Sequence, residues 1–370
     1  EVSAGGSGVL SAGRDLTLDS LDTHDDFLLG RNTTRESQEI GIQLNVGGSL
    51  ALLAGQDITT RAAEITSGDD LELSAGRDIQ LEAGLSHQYE ETRRGRTHTI
   101  ERHSQVQHTT LDAGGDLLMQ AGNDLRLTAG QLQADGSAAL LADNRIDLLT
   151  AQEEDYSFYE SSRRGGLFSS SRYQRDEVHD VRAVGTDIDA GGDLLIASGG
   201  DQTYQGARLT TGSDLALLSE GAIHFDTASD IRGEAHERSR GNFAWQSASG
   251  QGRTEETLRQ SELRYQGELA IQAAQGITID VPEVNAQSVR QTIDAMAEAN
   301  PDLAWLQAME ARGDIDWRQV EAIHDSWNYS QSGLGPGAAL AVSIVSAAWA
   351  GPAAGGLINN AMGAAMVNAG

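Results

Sequence analysis

A short phrase returns along this chain: Gly, a polar residue, Asp or Asn, then apolar–x–apolar. It reads Ala12-Gly13-Arg14-Asp15-Leu16-Thr17-Leu18, then Ala75-Gly76-Arg77-Asp78-Ile79-Gln80-Leu81, then Ala121-Gly122-Asn123-Asp124-Leu125-Arg126-Leu127. A partner phrase, Gly-Gly-Asp-Leu, occurs at Gly114-Gly115-Asp116-Leu117 and Gly191-Gly192-Asp193-Leu194. Repetition at a fixed short period means a solenoid, because each repeat must bury its apolar face against its neighbours.

The two phrases alternate about 8 residues apart, a weaker apolar point follows about 7 residues later, and the set restarts about 20 residues on. That step fits one turn of a three-faced parallel β-helix. Apolar residues at i and i+2 mark half-buried strands. Leu71 and Leu73, Leu117 and Met119, Leu194 and Ile196, and Leu215 and Leu217 are expected to point inward and stack between coils. The phrase glycine is expected at a positive-φ corner, and its Asp or Asn neighbour is expected to hydrogen-bond its own turn. Right-handed winding follows from the handedness of parallel crossovers.

Four stretches break the rhythm, near 21–46, 85–112, 152–189 and 228–266, and the blocks between them are each about two coils long. Each break falls where the third face is due, so all four should leave from one corner and line up along one side. Each is polar, with a Gly–Arg cluster near its middle, and the pattern reads as a long β-hairpin. A disordered loop is the competing reading. The candidate target-contact residues are the tips Arg93, Arg94, Arg96, Arg163, Arg164, Arg238 and Arg240. Solvated decoration is the bland alternative for them.

The repeat stops after Ile279, and Val281-Pro282 marks the break. Val289, Ile293 and Met296 fall at helical spacing, and Asn300-Pro301 is a helix start. Asp314 is expected to open a further helix, with Trp317, Val320, Ile323 and Trp327 as its apolar stripe. The chain thus divides into a β-helix over 1–285 and a helical unit over 286–370. No charged residue follows Asp325, and Leu340, Val342, Ile344, Val345 and Trp349 lie in a Gly- and Ala-rich run. The charge-free apolar stretch is about half of what spans a bilayer. It reads as buried helices of a continuing module, as a segment that inserts in a membrane conditionally, or as a permanent span.

Against 55 acidic side chains stand 26 basic ones, all of them Arg, for a net charge of −29. Such a surface repels nucleic-acid phosphates and argues against simple electrostatic adhesion to anionic membranes. There is no Cys, which removes disulfides and thiol chemistry. No charged-then-apolar leader opens the sequence, and the chain starts in mid-repeat, so it is expected to be an internal piece of a longer protein.

His98, His103 and His108 are spaced by five, which sends successive rings to opposite strand faces and makes a poor metal cluster. His324 reads as a packed core histidine. The Gly-x-Asp-Leu phrases lack the strict nine-residue step of calcium-binding repeats. Glu153-Glu154-Asp155 and Asp25-Asp26 read as solvated charges. No carboxylate cluster of the polysaccharide-cleaving type lies in the regular blocks, so the chain is expected to be non-enzymatic and to need no cofactor.

The paired phrases, broken by Ser/Arg-rich hairpins, resemble filamentous haemagglutinin repeats, and most closely the later repeat region of CdiA-type two-partner-secretion exoproteins. This resemblance covers about residues 1–285. The segment Trp317-Arg318-Gln319-Val320-Glu321-Ala322-Ile323-His324-Asp325-Ser326-Trp327, followed by Gly333-Leu334-Gly335-Pro336, looks like the helical domain that follows the repeats in that family. The resemblance implies export to the Gram-negative cell surface through an outer-membrane partner. It also implies a role in carrying a C-terminal toxin across the envelope of a neighbouring cell, or, in adhesin members, a stalk for cell–cell or host attachment. The expected partners are the outer-membrane transporter and a target-cell envelope or receptor, with no nucleic acid. Conditional membrane contact through 333–370 is expected as well.

Overall fold

A computed structural model describes residues 1–164, 170–241, 246–281, 289–312, 315–319 and 324–333. Short strands wind into a three-faced parallel β-helix. Face A begins with Val2–Ala4, face B with Gly8–Ala12 and face C with Leu16–Leu18, and each face gains one strand per coil. Faces A and B carry eight strands and face C nine. Leu50 pairs with Leu71 and Leu117 with Ala138, so an uninterrupted coil advances 21 residues.

The i, i+2 alternation in each phrase becomes an inward stack. Leu50, Leu71, Leu117, Leu194 and Leu215 form one column on face B, and Leu52, Leu73, Met119, Ile196 and Leu217 the next. Ile58, Ile79, Leu125 and Ile146 do the same on face C, and all four are buried. Burying such a side chain contributes about 1.5–3 kcal/mol, and each column repeats the gain at every coil.

Two expectations about the corners are corrected. Among the described residues, the glycines with positive φ are Gly30, Gly95, Gly206 and Gly276, none of them in a Gly-x-Asp-Leu phrase. The phrase glycine is there for room instead. A Cβ on Gly68 would overlap the carbonyl oxygen of Gly47 in the coil below. The phrase aspartate bonds to the next coil rather than to its own turn. Asp57 Oδ1 accepts from Asp78 N at 3.2 Å, Asp78 Oδ1 from Asp124 N at 3.1 Å, and Asp124 Oδ1 from Arg145 N at 3.2 Å. A second ladder runs from Asp70 to Asp116 N at 3.0 Å and from Asp116 to Ser137 N at 2.8 Å.

The corner between faces C and A alternates along the chain. In every second coil it is a tight turn through a left-handed residue: Ala62 (φ 49), Ala129 (φ 49) or Gly206 (φ 53). In the coils between, it is replaced by a hairpin. The four hairpins are Leu21–Leu29 with Asn32–Ile40, Gly84–Arg94 with Thr97–Gln107, Ala151–Arg163 with Ser171–Val184, and Ala228–Gly241 with Gln246–Arg259.

These hairpins do more than line up: they pair with one another into a continuous antiparallel sheet. The geometry is commensurate. Two coils rise by about 9.6 Å, and one hairpin of two strands is also about 9.6 Å wide, at roughly 4.8 Å per strand. A hairpin every second coil therefore keeps its neighbour in hydrogen-bonding reach.

Past the last coil the chain forms α1 (Val289–Ala299), a 3-10 turn at Pro301–Leu303 capped by Asn300, and α2 (Trp305–Arg312). Ile293, Leu303, Trp305, Leu306 and Met309 join the solenoid core. The helix expected from Asp314 is not formed over the described residues 315–319 and 324–333; Asp314, Val320 and Ile323 lie outside them. Ile315–Gln319 is a strand that extends face C by pairing with Ile277–Val281, and His324–Gly333 is a strand that extends the hairpin sheet. The open edge of each sheet supplies backbone partners, and tertiary pairing overrides the helical spacing. Ile315 and Trp317 stand two apart and satisfy a strand equally well.

Candidate functional site

The hairpin sheet carries every tip residue singled out from sequence. Its arms lengthen along the solenoid, from 9 and 9 residues in the first hairpin to 11 and 11, then 13 and 14, then 14 and 14. The distal edge is therefore stepped. The second hairpin pairs with the first only over His87–Glu91, which leaves Arg93 and Arg94 beyond it. The third pairs with the second over Glu154–Ser161, which leaves Arg163 beyond it. The fourth is flush with the third.

Opposite residues in an antiparallel pair share a face. One face is half-buried by its own side chains. Arg102 lies over the Tyr156 ring at 4.5 Å and Arg175 over the Phe158 ring at 5.3 Å, while His98 meets Phe158 edge-on at 5.5 Å. Tyr156 donates its hydroxyl to Glu177 at 3.0 Å; burial first, then the Glu177 charge, pushes the phenol well above its ordinary pKa. Burial works to raise Glu91, but hydrogen bonds from Arg93 (2.7 Å), His98 (2.8 Å) and Tyr89 (3.0 Å) outweigh it and leave the carboxyl below its usual value. Glu154 is lowered as well, chiefly by His179 at 2.8 Å.

The other face carries ion pairs towards the solenoid, among them Arg182 with Glu153 and Arg232 with Asp180. Glu90, Glu101, His103, Asp155 and Asp180 line a shallow depression in its middle, and His103 Nδ1 bonds Asp155. Among the described residues there is no group of three or more His, Cys, Asp or Glu side chains able to hold a metal ion. Arginines occupy the distal end. Arg163 pairs with Arg172, and Arg172 with Arg240, so three guanidinium side chains share one face on one rung.

Each sequence-derived tip residue is exposed at this distal end. Arg93 is tied back to Glu91, and Arg238 lies near the Asp176 charge. The tips stand on successive hairpins and do not converge on one pocket. Sequence reasoning missed Arg172, which becomes a tip residue only once the hairpin register is known. It also missed Phe27, Leu28 and Leu29 at the end of the first hairpin, exposed by 64%, 72% and 66%. His98 and His103 point to opposite faces, as their spacing predicts, and His108 Nδ1 lies 2.7 Å from the Ala129 carbonyl at the sheet's base. Leu340, Val342, Ile344, Val345 and Trp349 lie outside the described residues. Among the described residues no helix is long and apolar enough to cross a membrane.

The class is that of the haemagglutinin-type exoproteins, as the family match to these repeats shows. The Hemagglutinin repeat family model matches residues 30–100, 91–241 and 167–297, and the chain belongs to that family, in the filamentous haemagglutinin and CdiA-type branch. Such exoproteins are secreted to the surface of Gram-negative bacteria, and their secretion implies an outer-membrane transporter partner.

Over 320 residues the chain is 28% identical to the 16S rRNA endonuclease CdiA of Enterobacter cloacae, which covers 80% of this chain and 9% of that protein. It is 27% identical over 221 residues to a tRNA nuclease CdiA of Escherichia coli, covering 59% and 7% of the two chains. A tRNA nuclease CdiA of Yersinia mollaretii is 26% identical over 207 residues, or 51% and 6%. The chain thus spans less than a tenth of these relatives, and the match falls on the repeats. No solved structure matches it.

Proposed function

We propose that this segment is a non-catalytic part of a contact-dependent inhibition exoprotein. In this reading the solenoid is a stiff post, the hairpin sheet faces the envelope of a neighbouring bacterium, and the whole helps a C-terminal toxin to cross. The observation that carries the reading is the hairpin sheet itself. It is a continuous surface on one side of the post, with a basic distal edge on a chain of net charge −29. The nuclease names of the relatives support a toxic cargo over a plain stalk. The charge-free run through Leu340, Val342, Ile344, Val345 and Trp349 is proposed to assist passage by conditional membrane contact.

The test uses the complete exoprotein on inhibitor cells. Replacing Arg93, Arg94, Arg163 and Arg164 by Ser should lower target-cell binding and growth inhibition together, with surface display unchanged. Unchanged binding and unchanged inhibition would remove the hairpins from the mechanism.

A further inference from the structure

The stepped edge of the hairpin sheet has a composition that the rest of the molecule lacks. Arg14, Arg35, Arg61, Arg77, Arg126, Arg182, Arg208, Arg232 and Arg264 all lie within ion-pair distance of a carboxylate. Among the described residues Arg94, Arg96, Arg163, Arg164, Arg172, Arg238 and Arg240 do not, and neither do Arg31 at the first tip, Arg102 over the Tyr156 ring and Arg145 on the solenoid. Most of the arginines without a carboxylate partner therefore gather at the distal edge, with Arg102 and Arg145 the exceptions. Within that edge, Arg163, Arg172 and Arg240 occupy one rung across three adjacent strands. Like charges directly opposite one another oppose strand pairing, so this rung is unfavourable until an anion joins it.

Length separates the edge from the acidic solenoid. An arm of 13 residues reaches about 43 Å at roughly 3.3 Å per residue, and the Debye length at physiological salt is about 8 Å. The nearest acid on that face, Asp176, stands four residues back from the Arg163 rung, and Glu101 and Glu234 stand six back, or roughly 13 and 20 Å. The net charge of the chain therefore does not decide what the edge attracts.

The first step adds a different chemistry. Phe27, Leu28 and Leu29 end the first hairpin with about two-thirds of each side chain exposed. They stand beside the Arg93–Arg94 step, where Arg93 N bonds the Asn32 side chain at 3.2 Å. Guanidinium groups bind phosphate oxygens in a bidentate fork. Apolar side chains at the same edge favour the acyl boundary beneath such phosphates. A nucleic acid offers the phosphates without that boundary, and an acidic peptide offers neither in a plane.

We propose that the stepped edge docks on a lipid surface bearing phosphate headgroups, with Arg94, Arg96, Arg163, Arg164, Arg172 and Arg240 on the phosphates and Phe27, Leu28 and Leu29 in the interface. This rests on the reading of the hairpin sheet as the contact surface and names what it contacts.

The test is vesicle flotation of the purified chain with phosphatidylcholine alone or doped with phosphatidylglycerol. The expected result is flotation with the anionic vesicles only, weakened by salt. Each Arg near an anionic surface weights partitioning roughly fivefold, so R163S/R172S/R240S should lower it about a hundredfold. F27S/L28S/L29S should keep the salt-sensitive attachment and lose any salt-resistant part. The substituted side chains are exposed, and an unchanged melting transition confirms folding. Equal flotation of the parent and the Arg variant, absence of flotation, or tighter binding to a single-stranded oligonucleotide would overturn the proposal. The growth-inhibition assay reads the delivery role separately. Flotation lost with inhibition intact would sink the delivery reading and leave the lipid contact standing.

Discussion

The indole of Trp305 lies 4.7 Å from the ring of Phe225, centroid to centroid, and Phe225 is stacked at 5.0 Å on Tyr204. A helix from beyond the repeats thus completes an aromatic column begun two coils earlier. Trp305 Nε1 donates to the Ser261 carbonyl at 3.3 Å, and the side chain is 1% exposed. The helical unit therefore closes the end of the solenoid while the strands on either side continue its sheets.

Removing that plug should open the structure from one end. Trp305→Ala is expected to cost about 3–5 kcal/mol. Because each coil touches only its neighbours, the loss should appear locally. Hydrogen exchange should accelerate at Leu263, Ile271 and Ile277 while Ile79 and Leu125 keep their protection. Uniform acceleration along the chain would show that the solenoid unfolds as one unit.

Gly41, where the chain re-enters face A after the first hairpin, offers a second test. A Cβ there would overlap the Ala62 carbonyl oxygen, a backbone atom held at a left-handed corner. Gly41→Ala should destabilise by about 1–3 kcal/mol through forced displacement of the two coils. Thermal unfolding reads it, and an unchanged midpoint would mean the corner yields freely.

Much of this was legible in the chain. The phrase period gives the coil, its i and i+2 positions give Leu71 and Leu73 as core, and the interruptions give the hairpins and their common corner. The pairing of hairpin with hairpin was not legible. Their arms are polar, and register is set by cross-strand partners such as Arg102 and Tyr156 that only the fold brings together. The Arg163–Arg172–Arg240 rung was hidden for the same reason. Trp317 went astray because the helical spacing to Val320 and the strand spacing to Ile315 are both present, and the open edge of face C decides.

The hairpin sheet should be a separate unit of stability. Phe158 is 9% exposed and packs against His98 and Arg175 within that sheet. Phe158→Ser should cost the sheet about 2–4 kcal/mol and leave the solenoid columns untouched. Limited proteolysis should then cut within 84–107 and 151–184 at an increased rate, with the main unfolding transition in place. A shift of that transition would mean the sheet braces the coils.

Acid should loosen the Asp57 rung of the ladder before it reaches the core. Asp57 accepts from the Arg77 guanidinium at 2.7 Å and from Asp78 N at 3.2 Å; the Arg77 bond is the larger influence and holds the carboxyl below the usual carboxylate range. A carboxyl with a depressed pKa in the folded state binds its proton more readily when unfolded. Its stabilisation is therefore complete above the unfolded value and fades as pH falls through the folded one. Burial raises Asp187 and Asp226 above the usual carboxylate range, so these two favour the folded state more as they protonate and act in the opposite direction. The wild type alone would mix both effects, and Asp57→Asn separates them. The stability difference between wild type and D57N, read from urea midpoints, should be constant from neutral pH down to about 5 and shrink below about 4. A difference that persists unchanged to the lowest pH would mean that Asp57 acts through its pair of oxygen acceptors, which an amide does not reproduce, and not through its charge.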